Sequence, residues 1–259
     1  MAVPGLIEIL VPAVLTGGAV GWLVERRRRR RIAAHEAFLG YFDPTVRKVV
    51  EHAMALARSA PASDGKRLLR PAHLISALID TEAFAVAIET LGGSPAAIKK
   101  RVDEEVAHPT LGPPTLQPLR MAMAYGQHQK RAVTVADLWV RIARTNAAPL
   151  VEVGPVDAHA LSFVLVHGRR EPVLAPRGDQ QAVVIHNDHS TTFEFVIAML
   201  REVFGLSADR ATELAKTVDQ TGKGVIARYP TAEAVAFVEQ ARALARRESF
   251  ALWVDIEPA

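Results

Sequence analysis

The stretch Val183–Ser207 reads VVIHNDHSTTFEFVIAMLREVFGLS. Its β-branched opening predicts a strand from Ala182 to His186. Asn187 and Asp188 follow as turn residues. Thr191 and Glu194 then have the spacing of a capping box, which predicts a helix from Thr191 to about Phe204 with Gly205 as its stop. Ser207 caps a further helix, SADRATELAKTVDQ. GKGVIARY reads as a strand, TAEAVAFVEQARALARRE as a long amphipathic helix and FALWVDIEP as a last strand. The order β-α-α-β-α-β predicts a small α+β domain over 182–259, with helices on one face of an antiparallel sheet. Asn187 and Asp188 can serve the backbone turn, or they can bind something at its mouth. Both readings stand at this level.

The same residues resemble the ClpS adaptor family. Its pattern V-x-L-x-N-D-D-x-T-x-x-E-F-V-x-x-V-L-x-x-V-F stands here as VVIHNDHSTTFEFVIAMLREVF. Downstream, TVDQTGKGVIARY and FVEQARALARRE occupy family positions without a gap. The resemblance implies an adaptor that brings N-degron substrates to a Clp-type AAA+ protease. It further implies that Asn187 and Asp188 hold a substrate's α-amino group. Asp219 stands where the family has a third amine-holding residue, a histidine. Phe193 and Ala215 replace pocket methionines, while Val218 and Leu252 keep the apolar type of a side-chain pocket. His189 replaces the second Asp of the family's triplet. The docking lysine of the family is Phe237 here, which suggests an apolar surface able to dock on the rest of the chain.

Upstream, VRKVVEHAMALARSA places Val46, Val49, Val50, Ala53, Met54 and Ala57 on one helical stripe. RPAHLISALID, TEAFAVAIETLGG and SPAAIKKRVDEEVA continue as helices, with a Gly-Gly stop between the last two. The plan then recurs. PLRMAMAYGQHQKRAVTVADLWVRIAR repeats helix, basic loop and helix, so that Ala136-Asp137-Leu138 corresponds to Ala72-His73-Leu74. His73 and Asp137 suit a helix-start role. This region, 42–166, resembles the double helical repeat of Clp unfoldase N-terminal domains and predicts an all-α pseudo-twofold bundle. No GxxxxGK[ST] phosphate loop accompanies it. HGRREPVLAPRGDQQ (167–181) reads as an interdomain linker. Such tethering favours docking of the two modules on each other.

The first 25 residues are of another kind. Ala2–Val24 holds one charge, Glu8, and is long enough to cross a ~30 Å hydrocarbon core. Six arginines, Arg26–Arg31, follow in the juxtamembrane segment 26–41. The positive-inside rule predicts a single-pass anchor in the cytoplasmic membrane, with its N-terminus outside and the main domains cytosolic. Gly17 and Gly21 form a GxxxG pair that could mark a homodimer face. The net charge of +3 comes from this run; without it 25 basic residues face 28 acidic ones. That argues against a broad nucleic-acid-binding face. With no cysteine in the chain, disulfides and thiolate chemistry are excluded. No nucleophile elbow or HExxH occurs. The expectation is a non-catalytic protein without metal or cofactor. Its partners would be a Clp-type AAA+ unfoldase or its N-domain, and proteins with a free N-terminus. The alternative is a membrane-tethered interaction scaffold that reuses the fold.

Overall fold

The computed structural model describes residues 35–60, 68–109 and 116–259. The expected anchor, the arginine run and the Gly17/Gly21 pair lie outside them. Among the described residues no single helix is long and apolar enough to cross a membrane.

After a helical stretch at 35–39, seven α-helices follow among the described residues: α1 (Pro44–Ser59), α2 (Pro71–Ile79), α3 (Glu82–Thr90), α4 (Pro95–Ala107), α5 (Gln117–His128), α6 (Val135–Ile142) and α7 (Ala158–His167). A 3-10 turn, Ala148–Val151, precedes the last. Most begin on a side-chain cap. Asp43, Thr81, Ser94, Thr134 and Asp157 each accept a backbone N–H from the first turn, satisfying donors that a helix leaves unpaired. The expected stripe on α1 is buried at Val46, Val49, Val50, Ala53 and Ala57, with Met54 packed at its edge. Every residue of α2 is buried, so this helix is the centre of the helical unit.

His73 and Asp137 do the same job in the two halves. The His73 Nδ1 accepts the Arg70 N–H at 2.9 Å. The Asp137 Oδ2 accepts the Thr134 N–H, also at 2.9 Å. Each side chain therefore reaches back from N3 and closes its helix start. Asp137 adds a two-pronged pair with Arg131, at 2.6 and 2.9 Å, although it is only 2% exposed. Burial alone would raise the Asp137 carboxyl; the Arg131 and Thr134 hydrogen bonds overcome it and hold the group below its ordinary value. The segments leading into α1 and α6 pair through a parallel bridge between Phe42 and Val133. Gly92 turns the chain after α3 with φ +83°. At Gly93 a Cβ would lie 2.3 Å from Val156, so a side chain there would push away the segment that leads into α7.

The second unit is built on β1 (Gln180–His186), α8 (Phe193–Phe204), α9 (Ala208–Thr221), β2 (Lys223–Pro230), α10 (Thr231–Arg247) and β3 (Trp253–Pro258). The three strands form one antiparallel sheet in the order β2-β1-β3. Val183 and Ile185 of the central strand pack against Met199, Leu200, Val218 and Val238 from the helices. Gly205 and Gly222 end α8 and α9 in the left-handed region, at φ +66° and +85°.

The connection 168–179 has no regular structure, but it is strapped down. Arg242 donates to the Pro172 carbonyl, Arg170 to that of Thr90 and Thr231 to that of Gly178. Glu171 lies between the units. It pairs with Arg246 of α10 at 2.5 Å and approaches Arg242 at 3.5 Å and His159 of α7 at 3.8 Å. Burial by itself would raise the Glu171 carboxyl. His159, Arg246 and Arg242 reverse that and hold it down at about 2.

The units also touch through rings. Phe163 and His167 of α7 meet Trp253 edge-on, with centroids 6.2 and 5.4 Å away. The His167 Nε2 lies 2.7 Å from the Ala251 carbonyl, and the Arg144 guanidinium sits over Phe250. The expected contact through Phe237 is therefore corrected. Phe237 packs inside its own unit, against Phe204 at 5.6 Å and Tyr229 at 4.8 Å. Those two rings shelter an aromatic side chain that the sequence pattern suggested was a surface.

Two outcomes follow from these contacts. Asp137→Ala removes a buried cap and leaves Arg131 unpaired. It should cost roughly 2–4 kcal/mol in denaturant unfolding. For Glu171, the folded carboxyl lies below its ordinary 4.5, so its contribution is complete above pH 4.5 and fades as pH falls towards 2. Thermal melts of the chain and of Glu171→Gln should differ most near neutrality and converge through that window.

Candidate functional site

β1 ends at His186, whose ring stacks on Trp253 at 4.2 Å. The chain then turns. The Asn187 N–H donates to the Gly222 carbonyl at 2.8 Å, fixing the turn to the end of α9. The Asp188 Oδ1 accepts from the N–H and hydroxyl of Ser190, both at 2.6 Å, and from the Thr191 N–H at 2.7 Å. Its Oδ2 accepts the Thr191 hydroxyl at 2.7 Å. Ser190 is buried, so these donors need that carboxylate.

This network corrects the expected helix start. Thr191 has its hydroxyl on Asp188, and Thr192 is the N-cap instead, accepting the Phe195 N–H. The helix begins at Phe193, two residues later than the spacing of Thr191 and Glu194 suggested. Glu194 remains in the first turn and is exposed.

The residues singled out in sequence come together. Asn187, Asp188, Asp219, Phe193, Ala215, Val218 and Leu252 all line one cavity of about 490 Å³. Ala215, Val218 and Leu252 are buried and give it an apolar floor, whereas Phe193 lines the cavity while remaining 38% exposed. The Asn187 side-chain amide donates to the Asp219 backbone carbonyl at 3.4 Å, linking the turn to the last turn of α9. The Asp219 carboxylate is exposed and takes no hydrogen bond or ion pair from the described residues. Gly224 lets β2 pass close beneath; a Cβ there would lie 2.8 Å from Val218. Phe237 is not among the lining residues.

Chemically, one edge of the cavity presents carboxylates and amides and the floor presents hydrocarbon. Asp188, Asp219 and Glu194 line it, and among the described residues no lysine or arginine does. Such an edge favours a cation able to donate several hydrogen bonds. Sequence reasoning missed the opposite wall. Tyr125, His128 and Gln129, from the end of α5, line the same cavity. No local pattern could reveal them, since they lie some 60 residues upstream. The Asn187–Ser190 turn also borders a second cavity of about 770 Å³, shared with Asp43, Arg131 and Thr134.

Comparison with known proteins bears on this unit. The family model described as "ATP-dependent Clp protease adaptor protein ClpS" matches residues 177–255. The "ATP-dependent Clp protease adapter protein ClpS" of Desulfatibacillum aliphaticivorans is 36% identical over 76 residues, 29% of this chain and 73% of that protein. The protein of the same description from Nitratidesulfovibrio vulgaris (strain DP4) is 42% identical over 106 residues, 40% of this chain and 95% of the relative. The chain belongs to the ClpS adaptor family. A solved structure, "The structure of Agrobacterium tumefaciens ClpS2 bound to L-phenylalaninamide", is 28% identical. It covers 32% of this chain and 100% of that one, with a TM-score of 0.31. The ClpS family match begins at residue 177, so helices α1–α7 lie before it.

The ClpS turn yields a contrast between its two aspartates. Asp188→Ala strands the Ser190 and Thr191 donors and should lower stability by about 1–3 kcal/mol. Asp219→Ala, at an exposed carboxylate, should stay within about 0.5 kcal/mol in the same unfolding assay.

Proposed function

We propose that this chain is a non-catalytic adaptor for a Clp-type AAA+ protease and that it recognises proteins by a free N-terminus. The observation that carries the reading is the convergence of Asn187, Asp188 and Asp219 on one cavity beside an apolar floor. An α-amine has a pKa of about 7.7–8.0 and is mainly cationic at neutral pH. Asp219 offers an uncommitted carboxylate. Asp188 Oδ2 accepts one hydrogen bond, from Thr191, and retains acceptor capacity. The Asn187 amide nitrogen faces the Asp219 carbonyl, which turns its oxygen to other donors. The first side chain of the substrate then rests among Val218, Leu252 and Ala215, with Phe193 at the rim. Phe, Leu, Trp and Tyr suit such a site.

The wider assignment belongs to the same proposal. Residues 42–166 act as a Clp N-domain-like double repeat, 167–181 join it to the ClpS-like domain at 182–259, and 1–25 anchor the chain to the cytoplasmic membrane beside the basic segment 26–41. A homodimer through Gly17 and Gly21 and docking of a Clp-type unfoldase are further parts of it. The rival reading is a membrane-tethered scaffold with a degenerate cavity. One observation favours it: Asp188 Oδ1 is already taken by three donors of its own turn.

Titration of fluorescent peptides beginning with Phe, Leu, Trp or Tyr separates the two. Under the adaptor reading they bind, and N-acetylated versions do not. Asp219→Ala should weaken binding about tenfold, the scale of one charge-assisted hydrogen bond. Affinity should fall above about pH 8 as the amine loses its proton. Equal binding of acetylated peptides, or none by any free N-terminus, would establish the scaffold instead.

A further inference from the structure

We infer that the helical unit supplies the second wall of the recognition cavity, and that His128 and Gln129 read the second residue of a bound N-terminus. The inference rests on the N-terminal reading proposed above. Tyr125, His128 and Gln129 face a cavity whose other side carries Asn187, Asp188 and Asp219. A chain end with its amine on that edge and its first side chain on the apolar floor has to leave past this wall.

The wall is built to hold its place. Gln129 closes α5 by donating its N–H to the Tyr125 carbonyl at 2.9 Å. The Lys130 and Arg131 N–H groups return to Gln127 and Gly126, and Lys130 takes a left-handed φ of 52° to complete the reversal. Arg131 is then fixed by its pair with Asp137. At Gly126 a Cβ would lie 2.9 Å from Val133 and 3.0 Å from the Arg131 carbonyl, so the turn sits tightly on the strand-like segment below. The Tyr125 ring is pinned by the Arg141 guanidinium, 4.1 Å from its centroid. Burial also pushes the Tyr125 hydroxyl up to about 12, so it keeps its proton. A fixed polar wall discriminates at little entropic cost to the protein. His128 and Gln129 are exposed at the lip and can face a departing side chain. The cavity is acidic through Asp188, Asp219 and Glu194. The second residue is therefore basic or uncharged in preference to acidic.

Two otherwise identical peptides, beginning Phe-Arg and Phe-Glu, test this by fluorescence anisotropy with the full chain. At 0.15 M salt, distant charges are screened beyond about 8 Å. The wild type should favour Phe-Arg. His128→Glu should raise the Arg-to-Glu affinity ratio about fivefold, and His128→Lys should lower it about as much. A purely structural effect would move both peptides alike and leave the ratio unchanged. Binding with the same ratio in all three proteins overturns the second wall and leaves the N-terminal reading intact. Failure of the wild type to bind either peptide overturns both.

Discussion

Asp188 is the constraint on which the second unit depends. A strand that ends in the middle of a sheet and must re-enter as a helix leaves N–H groups unpaired at the corner. Here one carboxylate accepts two backbone donors and two hydroxyls across Ser190 and Thr191. That fixes where α8 starts and therefore where Phe193 and Glu194 stand. The Asn187 N–H to the Gly222 carbonyl ties the same corner to the end of α9. On this side the cavity is bounded by these two elements and by β1, facing the wall from the end of α5. Its polar edge and its architecture are thus one feature: the groups that hold the turn are the groups presented to a ligand.

The helical unit solves its corners differently. His73 and Asp137 each close a helix start from the third position. In one half the closing group is an imidazole nitrogen. Burial lowers the His73 pKa, which favours the neutral ring that this acceptor role needs. In the other half it is a carboxylate, which requires Arg131 as a counter-charge. That requirement has a distant effect. Arg131 anchors the turn that carries Gln129, so a capping solution inside the helical unit sets the position of a cavity wall.

Much of this was legible from the chain because the informative signals are local. Strand and helix order in the second unit follows from alternation, caps and glycine stops, and Gly205 and Ser207 act as read. The start of α8 differs from the one the spacing predicts because adjacent threonines both fit a cap, and spacing cannot tell which hydroxyl the turn will take. The grouping of Asn187, Asp219 and Val218 followed from a family pattern rather than from periodicity. Tyr125, His128 and Gln129 were invisible, since only tertiary packing brings α5 to the turn. Phe237 departs from its pattern for a related reason. An aromatic residue in place of lysine looks like a new surface until Phe204 and Tyr229 are seen beside it.

Glu171 gives the connection between the units a property that its proline- and glycine-rich composition conceals. Its carboxylate meets α7 through His159 and α10 through Arg242 and Arg246 while the backbone passes between them. Three residues separate it from the end of α7, so its reach is set by chain length. A chimera that grafts another helical unit onto this sheet would have to keep that spacing as well as the residue. Deleting or inserting a single amino acid there would slide the acid off both partners at once, making the joint behave as a keyed coupling.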